Sequence, residues 1–224
     1  MVKSNKKKVF IIHTSDVSVK YLKSLFNELA PDVILYNIID DSLLPEVINN
    51  GGITKRIVKS ICAYALQAEA AGADLIFSQC SSVGEAANIA RELINIPLVK
   101  VDEKMAEVSC QIGKKIGVAA TLKTTLGPTV RLIEETAIKL NKKVKIVKSL
   151  SEGAFDLLIS GDTKGHNDMV KDDILKLIKE VDVVVCAQGS MVPLIEALGE
   201  TPVPVLTSPR LGVERAVDVL KKSN

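Results

Sequence analysis

A thiol and two hydroxyls stand together at Cys80-Ser81-Ser82, separated by Ser78-Gln79 from the apolar run Leu75-Ile76-Phe77. A strand that ends on a cysteine and passes into a helix opening with two serines sets the thiol against backbone N–H groups that lack partners within the helix. Such surroundings favour thiolate, which is both a nucleophile and a usable base. A cysteine that merely fills a strand end is the plainer alternative, and the Ser-Ser helix start turns the reading toward chemistry. A second polar turn, Gln188-Gly189-Ser190, follows the run that ends at Cys186. Thr121, Thr124 and Thr125 form a hydroxyl cluster before a helix. Together with Ser81, Ser82, Gly189 and Ser190 they offer short hydroxyls and open N–H groups suited to a carboxylate, although N-capping would explain any one of them alone. His13, ahead of Thr14 and Ser15 at the end of the first strand, is an acid/base candidate because an imidazole titrates near neutral pH; a histidine bonded to backbone is the competing reading. His166 falls in a polar stretch, residues 161–167, expected to be a solvated turn in which Asp162 could orient it.

Other chemistries are disfavoured. The four cysteines (Cys62, Cys80, Cys110, Cys186) include no C-x-x-C pair and there are only two histidines, so no metal framework is expected and the cysteines read as free thiols in a reducing, cytoplasmic setting. Cys62 and Cys110 lie on apolar helix faces and read as core. No G-x-G-x-x-G or Walker-type loop occurs, which argues against a dinucleotide or nucleoside triphosphate. Net charge is +2, tryptophan is absent and aromatic residues are 3%, so a nucleic-acid partner is not expected. No run approaches the roughly 20 apolar residues of a membrane helix. The basic residues Lys6 to Lys8 read as a solvated tail before the first strand.

The elements that must hold these residues follow from hydrophobic periodicity. Short β-branched runs at 9–13, 33–38, 74–78, 98–101, 116–120, 144–147, 182–186 and 203–206 alternate with stretches of helical spacing at 17–29, 53–71, 83–93, 104–112, 125–140, 171–179 and 213–220. That rhythm predicts an α/β fold with parallel sheets. Residues 42–52 and 149–167 are expected to be loops.

The chain also repeats itself. Lys7-Lys8-Val9 matches Lys114-Lys115-Ile116 at an offset of 115 − 8 = 107, which also relates Thr14 to Thr121 and Pro97 to Pro204. In the third strand of each copy the register slips by one, Asp74 matching Asp182 and Ser82 matching Ser190. Two similar lobes are therefore expected, 1–103 plus 207–224 and 104–206, each an open parallel sheet flanked by helices. Ligands bind at the carboxyl ends of such strands, which points to a cleft between the lobes.

The copy-to-copy symmetry, the strand-Cys80-Ser-Ser-Val turn, the Ile116-Gly-Val-Ala-Ala-Thr121 strand end with Thr124-Thr125, and the Val203-Pro204 before the last strand together resemble the aspartate/glutamate/hydantoin racemase superfamily over essentially the whole chain. The resemblance implies two pseudo-symmetric α/β lobes and proton transfer beside a carboxylate, without pyridoxal phosphate or metal. It also implies one cysteine per lobe, which would make Cys80 and Cys186 the catalytic pair. A small carboxylate substrate, bound by Thr14, Ser15, Ser81, Ser82, Thr121, Thr124, Gln188, Gly189 and Ser190, and a homo-oligomer complete the expectation. Decarboxylases and cis–trans isomerases of small dicarboxylates look like relatives on the same fold.

Symmetry and residue chemistry disagree at one position. Cys80 lies six residues after Asp74, and six after Asp182 stands Gln188, whereas Cys186 matches Ser78. At ~3.3 Å per residue Cys186 would lie about 6–7 Å deeper along its strand. Either a bulge brings it forward, or another group is the second acid/base, or one thiol suffices. The expected function is thus a racemase or epimerase using Cys80, with a one-thiol decarboxylase or isomerase, or a non-catalytic carboxylate binder, as alternatives.

Overall fold

The computed structural model describes residues 6–222, apart from the side chain of Glu196. Residues 1–5, most of the basic tail, lie outside the described residues. Lys8 opens the first strand, and Lys7 pairs with Asp74 at 3.3 Å. The chain forms two compact units. Unit 1 extends to Val101 and takes back the residues from Pro209 onward, and unit 2 is Asp102–Ser208.

Unit 1 contains β1 (Lys8–His13), α1 (Val19–Leu29), β2 (Ile34–Ile39), α2 (Leu43–Asn50), α3 (Lys55–Ala70), β3 (Leu75–Ser78), α4 (Gly84–Arg91) and β4 (Leu98–Lys100). Its parallel sheet has the order β2-β1-β3-β4. Every residue of β3 is buried because helices cover both faces of the sheet, whereas the edge strand β2 has no buried residue. On one face Ile12, Ile76 and Leu98 pack with Leu43, Val47, Ile57, Ile61 and the alanines of α3 and α4. On the other, Val9, Ile11, Phe77 and Val99 meet Leu22, Leu25 and Phe26 of α1.

Unit 2 contains α5 (Glu103–Ile112), β5 (Lys115–Ala120), α6 (Lys123–Lys139), β6 (Lys145–Leu150), α7 (Ala154–Ile159), α8 (Thr163–Leu177), β7 (Val183–Cys186), α9 (Val192–Leu198) and β8 (Val205–Thr207). Its sheet, β6-β5-β7-β8, repeats the topology of the first. The repetition extends to single hydrogen bonds. The Asp74 carboxylate accepts the Lys8 N–H at 2.8 Å, and that of Asp182 accepts the Lys115 N–H at 2.7 Å. The second of these also takes the Lys114 N–H, and the two bonds hold the Asp182 carboxyl below the usual carboxylate range.

The last helix, α10 (Ser208–Lys222), follows β8 of unit 2 yet buries Val213, Ala216, Val217 and Leu220 on the unit 1 face that carries Phe77. Helix α5 follows β4 of unit 1 and packs instead beside α6 and β7. Each sheet is thus completed by a helix reached from the other unit's last strand.

Three helices stand where loops or nothing was expected. Helix α2 carries only Leu43 and Val47 as buried anchors, too few for a periodic signal, and ends at Gly51 with φ 68°. Helix α7 is six residues long and starts after Gly153, φ 82°. Helix α9 accommodates Pro193 in its first turn, where the missing N–H costs nothing. Helix α8 was expected only from 171; it begins at Thr163, and His166 occupies the first position of its buried stripe.

Candidate active site

In unit 1 the site forms at the carboxyl edge of the sheet. Strand β3 ends at Ser78, Gln79 N–H donates to the Ile12 carbonyl (3.1 Å), and Cys80 stays extended (φ −116°, ψ 121°). A 3-10 turn, Ser81–Val83, then leads into α4, so the expected helix start at Cys80 is a tighter turn one step earlier. Cys80 is half-buried against the α3/α4 side of the core. Ser81, Ser82 and Thr14 are buried around that edge, and Ser15 is partly exposed.

Strand alternation sorts the neighbouring groups. The register pairs Ile12 with Ser78 and Ser78 with Lys100, so Ser78 and Lys100 share the face on which Cys80 emerges one pleat higher. His13 belongs to the opposite face, where its Nε2 meets Asn37 Oδ1 at 2.9 Å. It is fully buried, and burial lowers its pKa although the Asn37 bond opposes the shift. His13 thus stands on the face of the sheet opposite to Cys80 with its Nε2 taken by Asn37, which corrects the expectation that it acts beside the thiol. Lys100, 5% exposed with its stem 3.7 Å from a Cβ placed on Gly84, and Ser78, whose Oγ is buried without a partner, were missed in the sequence. Both looked like strand residues in an apolar run.

Unit 2 repeats the turn with different chemistry. Strand β7 ends at Cys186, Gln188 is extended (φ −133°, ψ 140°), and a 3-10 turn, Gly189–Met191, precedes α9. The offset between the two turns is 189 − 81 = 108, which makes Gln188 the counterpart of Cys80. Its amide is engaged. Oε1 accepts the Thr121 N–H at 2.6 Å, and Nε2 donates to Thr121 Oγ1 at 2.8 Å, tying β7 to the end of β5.

Cys186 lies one pleat below. It pairs in unbroken register with Ala119 and Thr207, is fully buried beside Ile174 and Met191, and burial pushes its thiol up to about 12. No bulge brings it forward, and a thiol held protonated in an apolar core is not a proton carrier. The expected second catalytic thiol is therefore absent from the edge. Cys110 is buried and Cys62 half-buried, and burial raises the pKa of both.

Thr121 and Thr125 are buried at the start of α6, and Thr124 Oγ1 is buried without a partner. Pro128 inside α6 cannot give Thr124's carbonyl its helical N–H. Gly189 is exposed, and Ser190 presents a buried Oγ that also lacks a partner. His166, expected in a solvated turn, is fully buried on α8. Its Nδ1 lies 2.9 Å from Asn167 Oδ1 and its Nε2 has no partner. Asp162 instead caps α8 by accepting the Gly165 N–H at 2.8 Å. An unsatisfied buried polar atom typically costs about 1–3 kcal/mol unless water or a ligand meets it. Among the described residues no group of three or more His, Cys, Asp or Glu could hold a metal, and no helix is long and apolar enough to cross a membrane.

Each unit thus ends its third strand in a turn at the carboxyl edge of its sheet, a thiol turn in unit 1 and a hydroxyl-lined turn in unit 2. The chain belongs to the Asp/Glu/hydantoin racemase family, whose sequence model matches residues 9–216, and this places it among the isomerases. Solved structures of the same fold include a candidate Asp/Glu racemase from Yersinia pestis (TM-score 0.74, 17% identity, covering 96% of this chain and 99% of that one). A glutamate racemase isoform from Bacillus anthracis is also similar (0.73, 18%, 97% and 83%). So is the allantoin racemase from Klebsiella pneumoniae (0.69, 15%, 96% and 88%). None of the curated protein sequences matches this chain.

Proposed function

We propose that the protein is a cofactor-independent racemase or epimerase of an amino acid or related carboxylate in which the Cys80 thiol moves the α-proton. The observation that carries this reading is Cys80 itself, half-buried and extended, heading a turn of small residues at the carboxyl edge of its sheet. An α C–H is a very weak acid, so the carbanion has to be stabilised as an enolate-like carboxylate by preorganised donors. The buried hydroxyls of Ser81, Ser82 and Thr14 are suited to that task. Family membership and the glutamate and allantoin racemases of like fold support a substrate of the aspartate, glutamate or hydantoin type.

The engaged amide of Gln188 at Cys80's counterpart favours a second reading, a one-thiol decarboxylase or cis–trans isomerase. Proton NMR in deuterium oxide separates the two. Incubation with each enantiomer of aspartate, glutamate and allantoin should show α-proton exchange accompanied by inversion. Exchange or carbon dioxide loss without inversion would favour the second reading, and silence across these and related small acids would defeat both.

A further inference from the structure

We infer that Lys100 determines specificity: its ammonium takes a second carboxylate of the substrate, which makes that substrate an acidic amino acid rather than a neutral hydantoin. The inference rests on the function proposed above.

The placement lies wholly within unit 1. Lys100 is the last residue of β4 and Ser78 the last of β3, and the register pairs the two. Paired residues of neighbouring parallel strands project to the same face about 4.8 Å apart, so ammonium stem and hydroxyl leave the carboxyl edge side by side. Cys80 follows two residues beyond Ser78 on that same face. The Lys100 side chain runs to the turn that Cys80 heads. Its Cδ and Nζ lie 3.7 and 3.8 Å from a Cβ placed on Gly84, and the Gly84 N–H closes that turn on the Ser81 carbonyl.

Two observations point to an anion there. A lysine at a strand end ordinarily carries its head out to water, whereas this one is 5% exposed and lies against the residue that closes the thiol turn. Beside it the Ser78 Oγ is buried with no partner. A carboxylate oxygen is the acceptor that both an ammonium and a hydroxyl can serve, and bonds of that kind are strengthened by the charge.

The order of the strands says which carboxylate. With β1, β3 and β4 adjacent, Thr14 just past β1 and Lys100 at the end of β4 flank Cys80 on opposite sides. An α-carbon at the thiol with its own carboxylate on the Thr14 side directs the substrate's side chain toward Lys100. The axes of β1 and β4 stand about 10 Å apart, and donors about 2.8 Å from each carboxylate leave a span of about 4–5 Å, the length of a four- or five-carbon diacid. A neutral hydantoin ring offers the ammonium no charge to meet.

Calorimetric titration with succinate and with its monoamide, succinamate, tests the site without turnover. The unaltered protein should bind succinate about tenfold or more tightly than succinamate, as an ionic contact exceeds a neutral one. Lys100→Met keeps most of the stem and removes the charge, and should bring the two affinities within about threefold of each other. Equal affinities in the unaltered protein, or no binding of succinate, overturn the inference, and neither result needs the variant to fold. So does an undiminished preference for succinate in folded Lys100→Met, which would leave Lys100 a purely structural residue. Exchange and inversion by NMR in deuterium oxide then compare aspartate and glutamate with asparagine, glutamine and allantoin. The acids should be preferred, and Lys100→Met should act on them mainly through KM while leaving the amides within a few-fold. Turnover of allantoin or the amides as fast as the acids overturns the inference and leaves the racemase reading intact. No turnover of any compound, with succinate binding that depends on Lys100, defeats the racemase reading and leaves the carboxylate site standing.

Discussion

Cys80 and Cys186 share an element type and differ in two residues of strand. Cys80 stands past the end of β3, and Cys186 is the last residue of β7, inside the apolar cluster. Cys80→Ala is expected to abolish racemisation with folding unchanged. Cys186→Ser should keep the rate within a few-fold and lower stability by about 1–3 kcal/mol, because it buries a hydroxyl among apolar side chains. Rates by NMR and thermal unfolding of both variants check this. Equal loss of kcat in folded Cys186→Ser would return the two-thiol mechanism. Iodoacetamide at neutral pH should modify Cys80 well before Cys110 or Cys186, as mapped by peptide mass spectrometry.

His13 makes a different residue-scale prediction. Its pKa in the folded state is lowered from 6.5, so the native state binds fewer protons than the unfolded chain. That contribution is complete above the unfolded value and is lost as pH falls below about 6.5 toward the folded one. His13→Gln should flatten this part of the acid limb in denaturant titrations run across that window. An unchanged slope would mean the imidazole is not held neutral.

At the scale of elements, the contact between β5 and α8 tests how that helix is seated on the sheet of unit 2. A Cβ on Gly117 would meet Leu177 Cγ and Cδ2 at 2.8 Å. Gly117→Ala should therefore cost about 1–3 kcal/mol by overpacking. Leu177→Ala alone should cost about 2–5 kcal/mol through the cavity it leaves. The double variant should be less destabilised than the sum of the two, and additive values from chemical denaturation would show that the helix does not rest there. The same helix explains a misreading. Its stripe begins with a histidine amid Lys164, Gly165, Asn167 and Asp168, so helical periodicity became visible only in its second half, from 171. Strand edges were legible to within about three residues, best in the central strands, which are buried on both faces and are continuous apolar runs.

At the scale of the molecule, α10 belongs to the core of unit 1 although it follows the last strand of unit 2. A chain ending at Thr207 removes Val213, Ala216, Val217 and Leu220 from that core. Hydrogen exchange should then show lost protection in β1, β3 and β4, with β5–β7 retaining theirs. Uniform loss would mean that the two units do not unfold separately.

The sequence by itself determined the α/β class, the repeated four-strand unit, the turn that carries Cys80 and the family. Each of these is written locally, in alternating apolar runs, in an offset of matched residues, and in a thiol placed just past a strand. The register argument that set Gln188 and not Cys186 opposite in sequence to Cys80 was also legible, because side-chain direction in a regular strand depends only on residue count. Tertiary structure alone decided the rest. His13 and Cys80 end neighbouring strands, yet the pairing of Ile12 with Ser78 puts them on opposite faces. Gln188 is occupied because the end of β5 lies within hydrogen-bond reach of it, 67 residues away in the chain. The burial of Lys100 and His166 depends on what the rest of the chain packs over them and leaves no mark in their own segments.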